Sequence, residues 1–277
     1  MNQRVLAMLF EPTSVDEAKG VTIKRVIGGE RMAIFDPIML LDHAIISAES
    51  EEVGFPRHPH RGIETLSYVL AGEVGHKDSI GNAEVVGPGG TQWMTAGNGI
   101  YHEEMMRPGA DGAEMLQLWF SLPRDKKRIA PGYVGGPADL VPEAVGEGFK
   151  VRIVAGSFLG SQGLFQDMAA QPTVLDVLLE PEAQIHLPVE VGHSALAYVV
   201  RGYATSGGHT ASAPKVMVFG DGGEISIVAG SNGARLFFVS AKPLNEPIIQ
   251  YRSFVMNSTD DIKETLDMML AGTFGKG

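Results

Sequence analysis

Cysteine is absent from the 277 residues. That removes disulfides, thiolate nucleophiles and sulfur ligation together, and leaves His, Asp and Glu as the side chains able to hold a metal ion. Basic residues are also scarce: 22 Lys and Arg stand against 33 Asp and Glu, a net charge of −11. Binding nucleic acid by neutralising phosphates needs a Lys/Arg patch, so direct nucleic-acid contact is not expected. The one basic cluster, Arg124-Asp125-Lys126-Lys127-Arg128, reads as a solvated turn. Long apolar runs are missing too, and nothing approaches membrane-spanning length. Residues 5–10 are apolar but too short for a secretory core, and Glu11-Pro12 closes them without a small-residue cleavage site, which points to a cytoplasmic protein with no membrane attachment.

Glycine, by contrast, is abundant, with 35 residues arriving at short intervals. Tight turns at that density punctuate an all-β chain. Strands are expected over residues 20–27, 36–42, 64–69, 92–96, 115–120, 151–155 and 174–179, with turns at Gly28-Gly29, 71–74, 87–90 and 97–99. One helix is expected in the tail. Ser258 with Asp261 three residues on has capping-box spacing, Ile262, Leu266, Met269 and Leu270 form an apolar stripe, and Gly272 ends it.

Between about residues 121 and 147 the texture turns to Pro, Gly and charge, and beyond it the first half is echoed. Ser67-Tyr68-Val69-Leu70-Ala71-Gly72 matches Ala197-Tyr198-Val199-Val200-Arg201-Gly202, 130 positions on, and Gly87-Pro88-Gly89-Gly90 matches Gly220-Asp221-Gly222-Gly223, 133 positions on. Two matches at nearly one offset imply a tandem of similar β-domains. The expected division is 1–130, a linker at 131–150, and 151–277 with the helix.

Two segments carry chemistry. In a strand, alternate side chains share a face, so His58 and His60 project together, as do His102 and Glu104. If the strands meet inside a barrel, three imidazoles and a carboxylate converge, a ligand set with open positions that suits iron in oxygen chemistry. An isolated His-x-His is more often surface decoration. Three of only 8 histidines fall in these segments, however, and the His-x-Glu pair follows behind a glycine-rich run. Residue chemistry alone leaves both readings open. The second half holds no counterpart: Pro188 and Glu190 stand where His58 and His60 would fall, residues 235–238 offer no ligand pair, and His186 and His193 read as ordinary surface histidines.

His58-Pro59-His60-Arg61-Gly62-x-Glu64-Thr65, followed by Gln92-Trp93-Met94-Thr95-Ala96-Gly97-x-Gly99-Ile100-x-His102, closely resembles the pirin family of bicupins, and Pro243-Leu244-Asn245-Glu246-Pro247 and Phe254-Val255-Met256-Asn257 extend the likeness to the C-terminus. The resemblance implies two tandem cupin β-barrel (jelly-roll) domains. It also implies one divalent metal, Fe(II) first among the candidates, held in the N-terminal barrel by His58, His60, His102 and Glu104. The activity implied is that of a quercetin 2,3-dioxygenase, taking a small aromatic substrate and O2, with Glu104 relaying the proton of a substrate hydroxyl. The alternative is a non-enzymatic iron-binding regulator acting through protein partners, as animal pirin does. A storage bicupin is a weaker third reading, since storage cupins have generally lost the metal set that is intact here. Glu64 and Gln117 are candidate partners for the far imidazole nitrogens, and Arg61 and Trp93 are candidates for the barrel mouth. A cavity of roughly several hundred cubic ångströms with apolar walls would favour the enzyme; a filled mouth beside an exposed apolar patch would favour the regulator.

Overall fold

The computed structural model describes residues 2–275. It is built almost wholly of antiparallel strands, with one α-helix, Thr259–Leu270. The chain divides into two compact units, one made of Ser14–Met32, Pro37–Ala138 and Leu244–Gly277, the other of Met1–Thr13, Ala33–Asp36 and Asp139–Pro243. This departs from a division at 130 and 150. Both chain ends cross over, because strand Leu6–Phe10 pairs with Lys215–Phe219, while Phe254–Met256 and the helix pack with the unit of the histidines. Nor is 131–150 a structureless linker: Gly132–Gly136 pairs with Thr91–Thr95, and Glu143–Gly146 with Phe149–Ala155.

The histidine-bearing unit has two sheets. The larger runs in the order Gly132–Gly136, Thr91–Thr95, Ile63–Ala71, Ala113–Ser121, Ile38–Ile46, Thr22–Ile27, with a short edge strand, Thr13–Val15. The smaller runs Val53–His60, Ile100–Arg107, Glu73–Asp78, Ala83–Val86. One end of the space they enclose is apolar, with Ile23, Ala44, Val69, Val74, Met106 and Met115 in a single buried cluster. Toward the other end the inward positions turn polar. Gln92, Ser67, Gln117, Asp42 and Arg25 stand directly opposite one another on five successive strands, so their side chains share one face.

The other unit keeps the architecture and drops the chemistry. Its sheet includes Ser194–Ser206, which contains the repeat found in the sequence. The repeat is legible in the backbone: Gly72 and Gly202 both adopt positive φ, +67° and +71°, and a Cβ on either would collide with a carbonyl of a neighbouring strand. Inside this unit, Val151, Leu175, Ala197, Met217, Leu236 and Phe238 belong to one apolar cluster.

The helix forms as its sequence predicts. The Ser258 hydroxyl accepts from the Asp261 amide at 3.2 Å and donates to the Asp261 carboxylate at 2.6 Å. Ile262, Leu266 and Met269 join Phe254, Met256 and Phe274 in one cluster. Leu270, expected in that stripe, is instead exposed at the helix end. Among the described residues no helix is long and apolar enough to cross a membrane.

Candidate metal centre and its cavity

Strand pairing brings the histidines together from 44 residues apart. Val53–His60 and Ile100–Arg107 run antiparallel with His102 directly opposite His58, and a bulge falls between His102 and Glu104. On the other edge of Ile100–Arg107, Asp78 stands opposite His102 and His76 opposite Glu104. Alternation then puts His58, His60, His102, Glu104, His76 and Asp78 on one face.

The imidazoles converge through their Nε2 atoms: that of His58 lies 2.9 Å from His60's and 3.1 Å from His102's. The far nitrogens show what this means. His58 Nδ1 is 2.8 Å from the Pro56 carbonyl, and His60 Nδ1 is 3.3 Å from the Ser253 carbonyl. A carbonyl only accepts, so each Nδ1 carries the proton and each Nε2 presents a lone pair. Two lone pairs facing each other at 2.9 Å repel unless a cation lies between them. Burial, reinforced by the neighbouring imidazoles, pushes His60 and His102 well below the ordinary histidine range. Both rings are therefore neutral, the form that ligates. The donor chemistry fits a divalent transition ion.

Glu104 enters differently from the expectation of a single four-residue cluster. His58, His60 and His102 form one group of converging ligand atoms, and Glu104 groups with His102 and His76 in a second that shares His102. Gln117 Nε2 donates to the Glu104 carboxylate, and the Ser67 hydroxyl reaches both Glu104 and Gln117 Oε1, the latter at 2.8 Å. Glu104 is thus held from the large sheet while its backbone belongs to the small one.

His76 carries no longer motif of its own in the sequence, although His76-Lys77-Asp78 repeats the alternation that marks the other candidate ligands. Its ring is stacked on Tyr133 at 4.2 Å and 17°, its Nε2 lies 3.2 Å from Asp78, and Tyr133 donates to Glu84 at 2.7 Å. Burial works to raise the Asp78 carboxyl, but bonds from the Asn82 side chain and backbone, followed by His76, outweigh it and hold the group below its usual range. Ser253 is a second residue the sequence could not nominate, since a backbone carbonyl gives no residue-type signal.

Other expectations resolve residue by residue. Gln117 touches the carboxylate rather than an imidazole, and Glu64 accepts from Thr95 at 3.0 Å. Arg61 does not line the mouth. It is fully buried, donating to Thr265 at 2.7 Å and Asn98 at 2.8 Å. Trp93 is core, stacked on Phe120 at 5.6 Å. Lys127, read as part of a solvated turn, is buried, and its ammonium donates at 2.8 Å to the carbonyls of Gly62 and Val255 and to Ser121 Oγ. His186 and His193 pair with Glu224 at 3.1 Å and Glu190 at 3.2 Å. Both candidate ligand groups among the described residues lie in the unit of His58.

His58 and His60 open into a cavity of about 570 Å³. His58, His60, Glu104 and Gln117 line one part of it, Leu40, Val53, Phe55, Met105 and Trp119 give apolar walls, and Arg25 and Asp42 contribute charge. Trp119 meets the His60 ring edge-on at 4.9 Å.

Comparison with known proteins agrees with this geometry. The profile of the pirin family matches residues 20–120, and that of the pirin C-terminal cupin domain matches residues 174–275. A Pseudomonas aeruginosa protein that carries quercetin 2,3-dioxygenase as a provisional name is 36% identical over 263 residues, 90% of each chain. The crystal structure of a quercetin 2,3-dioxygenase from Acinetobacter baumannii superposes with a TM-score of 0.90 at 30% identity, covering 99% of both chains. A bacterial pirin from Escherichia coli, solved in complex with nickel(II), shares the fold at 23% identity with a TM-score of 0.67, over 85% of this chain and all of that one.

Proposed function

This chain belongs to the pirin family, and from that premise we propose that it is a metal-dependent dioxygenase that cleaves flavonol-type aromatics with O2. One observation carries the reading: of three converging imidazoles, those of His58 and His60 line an apolar-walled cavity of about 570 Å³, the size and character of a small-molecule site. His58, His60 and His102 hold the ion, Fe(II) in this reading, and Glu104 faces the same space. The ion supplies Lewis acidity toward a substrate hydroxyl and a redox centre for oxygen.

The chain's own residues do the rest. Leu40, Phe55, Met105 and Trp119 flank a flat ring and exclude water. Glu104 accepts the proton of the substrate hydroxyl, as a buried carboxylate kept in position by Ser67 and Gln117 can. The carbonyls of Pro56 and Ser253 keep the Nε2 lone pairs of His58 and His60 turned toward the ion.

The test is purified protein loaded anaerobically with Fe(II), metal quantified by mass spectrometry, and oxygen uptake followed with quercetin. About one ion per chain, lost in His58→Ala, with uptake only when quercetin is present, is the expected result. Stoichiometric metal without uptake would turn the reading to a metal-containing regulator.

A further inference from the structure

The cavity has a second polar feature that the metal reading does not use. Arg25 Nε and Nη2 donate to the two Asp42 oxygens at 2.9 and 2.7 Å, and Nη1 and Nη2 donate to the two Glu17 oxygens at 2.6 and 2.7 Å. Asp42 is buried, only 6% exposed, yet lines the cavity together with Arg25 and Glu17. The guanidinium is shared between two carboxylates and has little left to offer an anion. Each carboxylate oxygen takes one bond from Arg25 and keeps capacity for another. Apart from the metal-facing group, the charged lining is Glu17, Asp42 and Glu52 against Arg25 and Lys19, and Glu52 is engaged by Arg107 at 3.1 Å. With Glu52 so paired, Glu17 and Asp42 balance Arg25 and Lys19; what distinguishes this part of the wall is the acceptor capacity left on the Asp42 oxygens, to which a ligand hydroxyl can donate and a ligand carboxylate cannot.

Its position follows from the strand register. Asp42 stands directly opposite Gln117, the residue that holds Glu104, one strand spacing of about 5 Å further along the wall. A flat ligand anchored at His58 and His60 shares with Asp42 the one cavity that all three line.

We propose that Asp42, fixed by Arg25, determines substrate specificity: it accepts hydrogen bonds from hydroxyl groups on the end of an aromatic ligand remote from the metal. The cavity selects aromatics with hydroxyls at that end and turns away those carrying a carboxylate there. Arg25 compensates the burial of Asp42 and leaves each of its oxygens able to accept once more; a ligand hydroxyl fills that capacity, while a ligand carboxylate brings no proton and a like charge. The proposal rests on the flavonol reading and narrows it to a substrate class.

The test measures anaerobic binding to the metal-loaded protein by quenching of tryptophan fluorescence. Three probes are compared: quercetin, the same flavonol without the two hydroxyls on its pendant ring, and one with a carboxylate on that ring. Quercetin is expected to bind about ten-fold more tightly than the second probe, the scale of a hydrogen bond to a charged acceptor, with the carboxylate probe weakest. Asp42→Asn keeps the shape and removes the charge; it is expected to bring quercetin and the second probe within about three-fold and to recover part of the carboxylate probe's binding. The ranking in the unaltered protein needs no variant, so a poorly folded Asp42→Asn leaves a decisive result. Equal binding of quercetin and the second probe, with oxygen uptake intact, overturns the role of Asp42 and leaves the dioxygenase standing. The expected ranking without oxygen uptake supports the site and removes the dioxygenase. No binding of any probe overturns both.

Discussion

Ser67 shows how one side chain separates a site from a scaffold. It faces the interior, where its hydroxyl reaches Glu104 and Gln117, while its counterpart 130 positions on, Ala197, is buried in the apolar core of the other unit. Ser67→Ala leaves the three imidazoles untouched and releases one hold on Glu104. Metal content should stay at the wild-type level while turnover of quercetin falls about ten-fold, the scale of a lost hydrogen bond to a charged group. Loss of metal in parallel with activity would show that Ser67 supports the ion rather than the carboxylate.

The buried histidines also set a pH dependence. In the folded protein without metal, His60 and His102 sit well below the ordinary range because burial disfavours their charged form. Below the unfolded value of about 6.5 the unfolded chain takes up protons that the folded one does not. Stability of the metal-free protein should therefore fall as pH drops from 7 to 5. His102→Asn should flatten that slope in urea-unfolding midpoints.

At the level of elements, the decisive device is the C-terminal segment laid against the strand of His58 and His60. Ser253 gives its carbonyl to His60 and its hydroxyl to the Pro59 carbonyl, at 2.6 Å. The Val255 amide donates to the Arg61 carbonyl at 3.0 Å, and Lys127 gathers the Gly62 and Val255 carbonyls with Ser121 Oγ. Lys127→Met retains much of the volume and strands those acceptors in the interior. The expected cost is about 3 kcal/mol in chemical denaturation, with weaker metal retention because the loop after His60 loosens. A variant as stable as wild type would mean that other donors take over the three oxygens. The helix tether is of a different kind. Arg128 pairs with Glu264 at 2.5 Å and Asp261 at 2.9 Å across an exposed surface, so it contributes little next to the buried contacts.

At the scale of the molecule, two units share one architecture and one of them carries the candidate ligands. An ion that binds only the folded site stabilises it by mass action, about 2.7 kcal/mol at a free concentration one hundred times its dissociation constant. The calorimetric melting midpoint should rise on adding Fe(II) anaerobically, and His58→Ala should abolish the rise. A rise that survives in His58→Ala would place the stabilising ion elsewhere.

The sequence by itself determined what repeats at short range. Glycine spacing and alternation marked the strands, capping chemistry marked the helix, and His-x-His with His-x-Glu marked the residues that now face one another, because side-chain direction in a strand follows from parity alone. The 130-residue echo exposed the tandem, and its missing histidines matched the unit in which no candidate ligand group lies among the described residues. Tertiary structure decided what depends on which strands meet. The crossing of both chain ends between units, the grouping of His76 with Glu104, the burial of Lys127 and Arg61, and the Ser253 carbonyl on His60 are contacts between residues far apart in sequence. A charged residue in a polar stretch looks the same from its neighbours whether it is solvated or enclosed. Only the partners brought to it by pairing and packing distinguish the two, and those partners lie outside any local window.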